Sequence, residues 1–178
     1  MKSQVQLHDK NFTLYISFEN LQQRIRQMAT QMDNDYTGKD IVFVAILNGA
    51  FMFAADLLKE IRTKCEIQFV KISSYAGLQS TGQIIQHIGL STTLENKHVI
   101  IIEDIIDTGN TLFQFLPEIK KRNPASIKIA TLLLKPAALK HELKIDYTGM
   151  EIPNDFIVGY GMDYNELGRN LKDIYVIK

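Results

Sequence analysis

The sequence predicts an α/β fold, a mostly parallel twisted sheet flanked by helices. Three short runs, residues 40–47, 99–102 and 126–134, are almost wholly apolar and rich in β-branched side chains. That is the pattern of strands buried on both faces. The first two runs are each followed by a Gly-containing turn and then by apolar residues at helical spacing, an alternation that builds parallel sheets.

The chain of 178 residues is 46% hydrophobic, enough for one domain spanning 1–178 with a substantial core. Twenty basic and 20 acidic residues give a formal net charge of zero. No polyanion-attracting field results, so neither nucleic acid nor a membrane surface is an expected partner. A single cysteine, Cys65, excludes an intrachain disulfide framework. The segment MKSQVQLHDK lacks the apolar core of a signal peptide, and no stretch is long enough to span a bilayer. The expected compartment is the cytoplasm.

Taken in order, residues 12–16 read as a short strand. Ser17 is a plausible N-cap, and Phe18, Leu21, Ile25, Met28 and Met32 form one helical stripe that suits core packing. Tyr36-Thr37-Gly38 ends that helix. After the strand at 40–47, Asn48-Gly49-Ala50 makes a tight turn and residues 51–61 read as helix. Residues 66–72 alternate like a strand. The polar, Gly-containing stretch 73–81 precedes strand-like residues 84–88, so it reads as either a hairpin tip or a mobile lid. His98 opens the next strand, and residues 126–134 form another that ends at Lys135-Pro136. A last short strand falls at 173–177.

The stretch HVIIIEDIIDTGNTL, residues 98–112, carries the chemistry. An apolar strand ends at two adjacent carboxylates, Glu103 and Asp104. Then comes Asp107-Thr108-Gly109-Asn110-Thr111, small, polar and rich in backbone donors. Leu112, Phe115, Leu116 and Ile119 place a helix start near Asn110 or Thr111. Loop amides and a helix N-terminus suit a phosphate, and the acids suit sugar hydroxyls or hydrated Mg²⁺. Taken singly, the acids are ordinary surface and the loop an ordinary turn. Together, at the carboxyl end of a buried strand, they mark the place where open α/β sheets bind ligands. The four histidines show no ligand spacing, so no His-metal site or His-based triad is supported.

EDIIDTGNT also resembles the 5-phosphoribosyl diphosphate (PRPP) loop of the type I phosphoribosyltransferases, in the 6-oxopurine branch, the hypoxanthine-guanine phosphoribosyltransferases. The resemblance covers roughly residues 40–177 in five ordered blocks. It implies the type I phosphoribosyltransferase fold with a small hood drawn from the N- and C-terminal parts. Asp107, Thr108, Gly109, Asn110 and Thr111 would hold the 5′-phosphate. Glu103 and Asp104 would contact the ribose hydroxyls and Mg²⁺, and Asp107 would be the general base. Leu47, Asn48 and Gly49 resemble the diphosphate loop, whose non-proline cis peptide would fall at Leu47–Asn48. Many relatives carry Lys or Arg at the position of Asn48. Arg169 matches a diphosphate-contacting arginine, and Ser74-Tyr75 resembles the flexible catalytic loop, which favours the lid. Lys135 and Phe156, with Ile157 and Asp163, would bind the purine, and Asp163 would also reach the metal. Gly168 stands where animal members carry an aromatic.

The resemblance implies purine salvage: transfer of 5-phosphoribosyl from PRPP to N9 of hypoxanthine or guanine, giving IMP or GMP and pyrophosphate. Mg²⁺ is the implied cofactor, and a homodimer or homotetramer the implied assembly. Two rival readings are a transferase for adenine or a pyrimidine, and a regulator that binds nucleotides without turnover. The retained Asp107 and Lys135 and the absence of basic excess argue against the regulator.

Overall fold

The computed structural model describes residues 3–74 and 84–178. The elements are β1 (Gln4–Leu7), β2 (Lys10–Ile16), α1 (Phe18–Tyr36), β3 (Ile41–Leu47), α2 (Phe51–Glu60), β4 (Cys65–Ser74), β5 (Ile84–Ile88), β6 (His98–Ile106), α3 (Asn110–Lys120), β7 (Ser126–Leu134), β8 (Tyr147–Glu151), β9 (Ile157–Val158) and β10 (Ile174–Ile177). The main sheet runs β5-β4-β3-β6-β7-β8. Five of its strands are parallel, and β5 joins the edge antiparallel to β4.

Side-chain alternation along the central strands divides the core. Phe43, Ala45, Ile100 and Ile102 face α1 and α2, while Val42, Val44, Val99 and Ile101 face α3. The strands can be apolar throughout because helices cover both faces. The stripe on α1 is buried at Leu21, Ile25, Met28, Ala29, Met32 and Tyr36. Ser17 caps that helix, its Oγ accepting from Asn20 N at 3.4 Å. Buried Asp173 accepts from Phe18 N at 2.8 Å, tying the same helix start to the C-terminal segment. Among the described residues no helix is long and apolar enough to cross a membrane.

The hood is a four-stranded antiparallel sheet, β1-β2-β10-β9, built from both ends of the chain as expected. Strand β1 was not anticipated. Gln4–Leu7 alternates between exposed and half-buried positions and pairs only with β2, so it carries little hydrophobic signal. The second difference lies in β6, which does not stop at Ile102 but runs through both acids to Ile106, paired with β7 as far as Leu134. Charged residues at a strand end look like a loop in sequence. Here the ladder of β7 holds them in extended backbone.

Candidate active site

At the carboxyl ends of β3 and β6 the sheet opens into a cleft of about 430 Å³. Its walls include the 47–49 turn, Glu103, Asp104, Asp107, Thr111, Lys135, Phe156, Ile157, Asp163 and Arg169. The structure thus gathers residues from five sequence blocks around one opening. Ser74 ends β4, and Tyr75 lies outside the described residues, so the proposed lid is not part of this geometry.

Glu103 and Asp104 are only 7% and 9% exposed, which sets them apart from ordinary surface acids. Successive residues of a strand point to opposite faces, so the two approach the cleft from either side of β6. Burial raises the Glu103 carboxyl well above its ordinary range, helped by the charge of Asp104. Burial likewise pushes Asp104 up to about 6, against the pull of backbone amides and of Arg169. Two adjacent, desolvated acids are an arrangement that a cation relieves.

Beside the acids, residues 107–112 enclose a smaller hollow of about 110 Å³. Gly109 enters α3 in the left-handed region, φ 75°, with no side-chain cap on the helix. The first amides of a helix have no partner within it; here Asn110 N donates to Thr108 Oγ1 at 3.4 Å, and Thr111 and Leu112 line the hollow. A Cβ on Gly109 would lie 2.6 Å from Leu143 Cδ1, so the segment after β7 closes over this loop. Lys140 N donates to Thr108 O at 3.0 Å, and His141 Nε2 lies 2.7 Å from Asn110 Oδ1. That support is not legible near the loop, because it comes from residues some thirty positions away.

On the opposite wall the Leu47–Asn48 peptide is cis, as the resemblance implied. A Cβ on Gly49 would lie 1.9 Å from Asp104 Oδ2, so a side chain there would force the turn and that carboxylate apart. Arg169 pairs with Asp163 at 2.7 Å and donates to Gly161 O at 2.9 Å. Gly168, at φ +102°, packs against Leu7 and Val158; a Cβ there would lie 2.8 Å from Leu7 Cδ1. The space beside Gly168 is therefore filled by the hood.

At the third side Lys135 Nζ donates to Asp107 Oδ2 at 3.1 Å. Phe156 is 45% exposed, its ring 6.2 Å from Phe12 and 5.9 Å from Tyr164. A phenyl ring so open, on the wall of a cleft, is available to a flat ligand. Ile105 and Met162 also line the cleft and were not singled out from sequence, where each reads as an ordinary apolar residue. Among the described residues no three His, Cys, Asp or Glu side chains form a metal-binding group by themselves. The donor set fits a hydrated, oxygen-ligated ion that takes further oxygens from a ligand.

The chain is similar to known proteins over most of its length. The phosphoribosyl transferase domain matches residues 17–165. A hypoxanthine-guanine phosphoribosyltransferase of Staphylococcus aureus is 40% identical over 173 residues, 97% of each chain. A crystal structure of an S. aureus hypoxanthine phosphoribosyltransferase superposes with a TM-score of 0.89 at 42% identity, covering 93% of this chain and 90% of the other. A hypoxanthine-guanine phosphoribosyltransferase of Bacillus anthracis gives 0.87 at 38% identity, covering 93% and 96%.

Proposed function

Since the chain belongs to the phosphoribosyl transferase family, we propose that it is a purine-salvage enzyme of the hypoxanthine-guanine branch, the branch for which its relatives are named. It transfers 5-phosphoribosyl from PRPP to N9 of hypoxanthine or guanine, giving IMP or GMP and pyrophosphate. The observation that carries this reading is convergence: the buried acid pair, Asp107 and Thr111 at the two ends of the cradle, the 47–49 turn with Arg169, and Lys135 with Phe156 all line one cleft, and the rest of the cradle lines the hollow beside it.

The reaction places four demands on the chain. The 5′-phosphate is anchored by the amides and hydroxyls of Asp107 to Thr111. Glu103 and Asp104 face the ribose hydroxyls and stabilise positive charge as the C1–diphosphate bond lengthens. The amides around Asn48 and Gly49, with Arg169, receive the diphosphate. Asp107 accepts the purine N7 proton as N9 bonds to C1. Lys135 donates to the base O6 and Phe156 stacks on the ring, with Ile157 beside it.

A metal ion, read here as Mg²⁺, would be held by Glu103, Asp104 and Asp163 together with substrate oxygens, and when bound it neutralises diphosphate charge. Asp163 is ion-paired with Arg169, so a shared carboxylate can serve both the metal and the guanidinium. Ser74 and Tyr75 retain their proposed role in covering the bound substrates. We read the 178 residues as one domain working in the cytoplasm as a homodimer or homotetramer. The test is an assay with PRPP, Mg²⁺ and each free base in turn, following nucleotide formation. Product from hypoxanthine and guanine is expected; no product from either would overturn the reading.

A further inference from the structure

Asp56 lies just past the middle of α2, the helix that leaves the 47–49 turn, and no step of the reaction uses it. Tyr160 is 0% exposed, lies in the turn after β9 and is likewise unused. The two meet: Tyr160 OH donates to Asp56 Oδ2 at 2.6 Å. Gln22 Nε2, from α1, donates to the same oxygen at 2.6 Å and lies 3.2 Å from the phenol oxygen. Lys59 Nζ pairs with the other carboxylate oxygen at 2.8 Å. The network draws on two helices and the hood turn.

Tyr160 needs such a hold. Its φ is +48°, a left-handed conformation that a bulky side chain seldom adopts without support. The backbone supplies some: Tyr160 N donates to Leu171 O at 2.7 Å, and Gly161 N to Arg169 O at 3.0 Å. Next in the chain, Gly161 meets the diphosphate turn directly. A Cβ at Gly161 would lie 2.0 Å from Gly49 O, a backbone atom that cannot swing aside. Gly161 O also accepts from Arg169 at 2.9 Å. From Asp56 the contacts therefore run through Tyr160 and Gly161 to Gly49, and from Gly49 to the carboxylate of Asp104.

We infer that Tyr160 and Asp56 are positioning residues for the diphosphate end of the site. Their hydrogen bond clamps the 159–162 turn to α2, and so fixes Gly161 against Gly49 and sets where Arg169 and the turn amides lie. The inference rests on the reading that diphosphate binds there. Burial opposes charge on Asp56, but hydrogen bonds from Lys59, Tyr160 and Gln22 outweigh it and hold that carboxyl below its ordinary range. Burial and Asp56 together raise the Tyr160 phenol, so it remains a donor.

The experiment compares the wild-type protein with Tyr160→Phe, Asp56→Asn and the double variant. Phenylalanine keeps the ring in its buried place and removes only the hydroxyl. KM for PRPP, and for pyrophosphate in the reverse direction, is expected to rise about tenfold, the usual loss for a hydrogen bond to a charged acceptor, with KM for hypoxanthine unchanged. The double variant should lose no more than the worse single one, since both act on one hydrogen bond, which the Asp56→Asn amide accepts only without its charge and the Tyr160→Phe ring cannot make. Calorimetric titration with magnesium pyrophosphate gives the same comparison without turnover. Equal pyrophosphate affinity in all four proteins, or an equal rise in every KM, would overturn the inference. A wild-type protein that binds pyrophosphate but forms no nucleotide would defeat the transferase reading instead, and the affinity comparison would still decide this one.

Discussion

Lys135 Nζ lies 3.1 Å from Asp107 Oδ2, and the two partners sit in unlike surroundings: the lysine side chain is 8% exposed, the aspartate side chain 47%. Neighbouring parallel strands bring them together, because β6 and β7 pair in register up to Ile106 and Leu134. An ion pair with one partner half in water adds little to stability, about 1 kcal/mol at most. Its consequence is placement. The lysine is held at the cleft wall with donors to spare, and the carboxylate is held facing the space a purine would fill.

If Asp107 takes the N7 proton, Asp107→Asn should lower kcat by about 10²- to 10⁴-fold while leaving the PRPP KM within about threefold. The amide still accepts from Lys135, so the wall should keep its shape. Steady-state kinetics with hypoxanthine decide the matter. A loss confined to KM would mean that Asp107 only shapes the phosphate loop.

The acid pair predicts a pH dependence with a definite sign. Folding raises the Asp104 carboxyl from 3.8 to about 6. The native state therefore holds that proton more tightly than the unfolded chain does. This contribution favours folding below about pH 4 and fades as pH rises towards 6; Glu103, also raised by burial, acts in the same sense. For Asp104 alone the effect is roughly 3 kcal/mol at most. Asp104→Asn cannot ionise, so its stability relative to wild type should improve between about pH 4 and about pH 7 in urea unfolding of the metal-free protein. A constant difference across that range would show that Asp104 is not burdened by its charge. The double variant Glu103→Gln/Asp104→Asn should weaken PRPP binding and slow turnover together. Turnover within about threefold of wild type would return the pair to the role of ordinary surface acids.

Gly49 touches Asp104 so closely that a methyl group forces one of them to move: the added Cβ would stand 1.9 Å from Oδ2. Asp104 lines the cleft, so either movement alters the site. Gly49→Ala should raise the PRPP KM by about tenfold or more and leave the hypoxanthine KM nearly unchanged, since the proposed base site is at another side of the cleft. Unchanged PRPP kinetics would show that the turn and the carboxylate adjust independently.

The elements legible in the sequence were those whose signal is local. The strands β3, β6 and β7 announce themselves by unbroken apolar runs, and the stripe on α1 by its period. The 103–111 block could be read as an anion cradle because strand, acids, glycine and helix start are contiguous. Features that arise only when distant segments meet were not legible. Nothing near Glu103 says that the strand continues through it, because β7 supplies the pairing. Nothing near Asn110 points to His141, and nothing near Asp56 points to Tyr160. Nothing near Phe156 distinguishes it from a core aromatic; the resemblance assigns it to a ligand, and the fold leaves it exposed on the cleft wall.

Base selectivity follows from Lys135. An ammonium group has three donors and no acceptor. One of them is taken by Asp107 in the structure, which leaves others for a ligand. Aimed at position 6 of a purine, the group pairs with the carbonyl of hypoxanthine or guanine. Adenine presents an amino group there, so donor faces donor, and a lysine this buried has no water with which to recover the lost bond. Sites that read a polar group in this way discriminate by roughly 10⁴-fold, whereas pocket shape alone gives about 10- to 200-fold. In its proposed role Phe156 would stack on any purine and add affinity without choosing among them. Hypoxanthine and guanine should therefore both be good substrates and adenine nearly inert. Lys135→Ala should damage the oxopurine reactions far more than the residual adenine reaction. Comparing kcat/KM for the three bases tests this: adenine within about tenfold of hypoxanthine would remove Lys135 as the selecting residue and favour an adenine transferase.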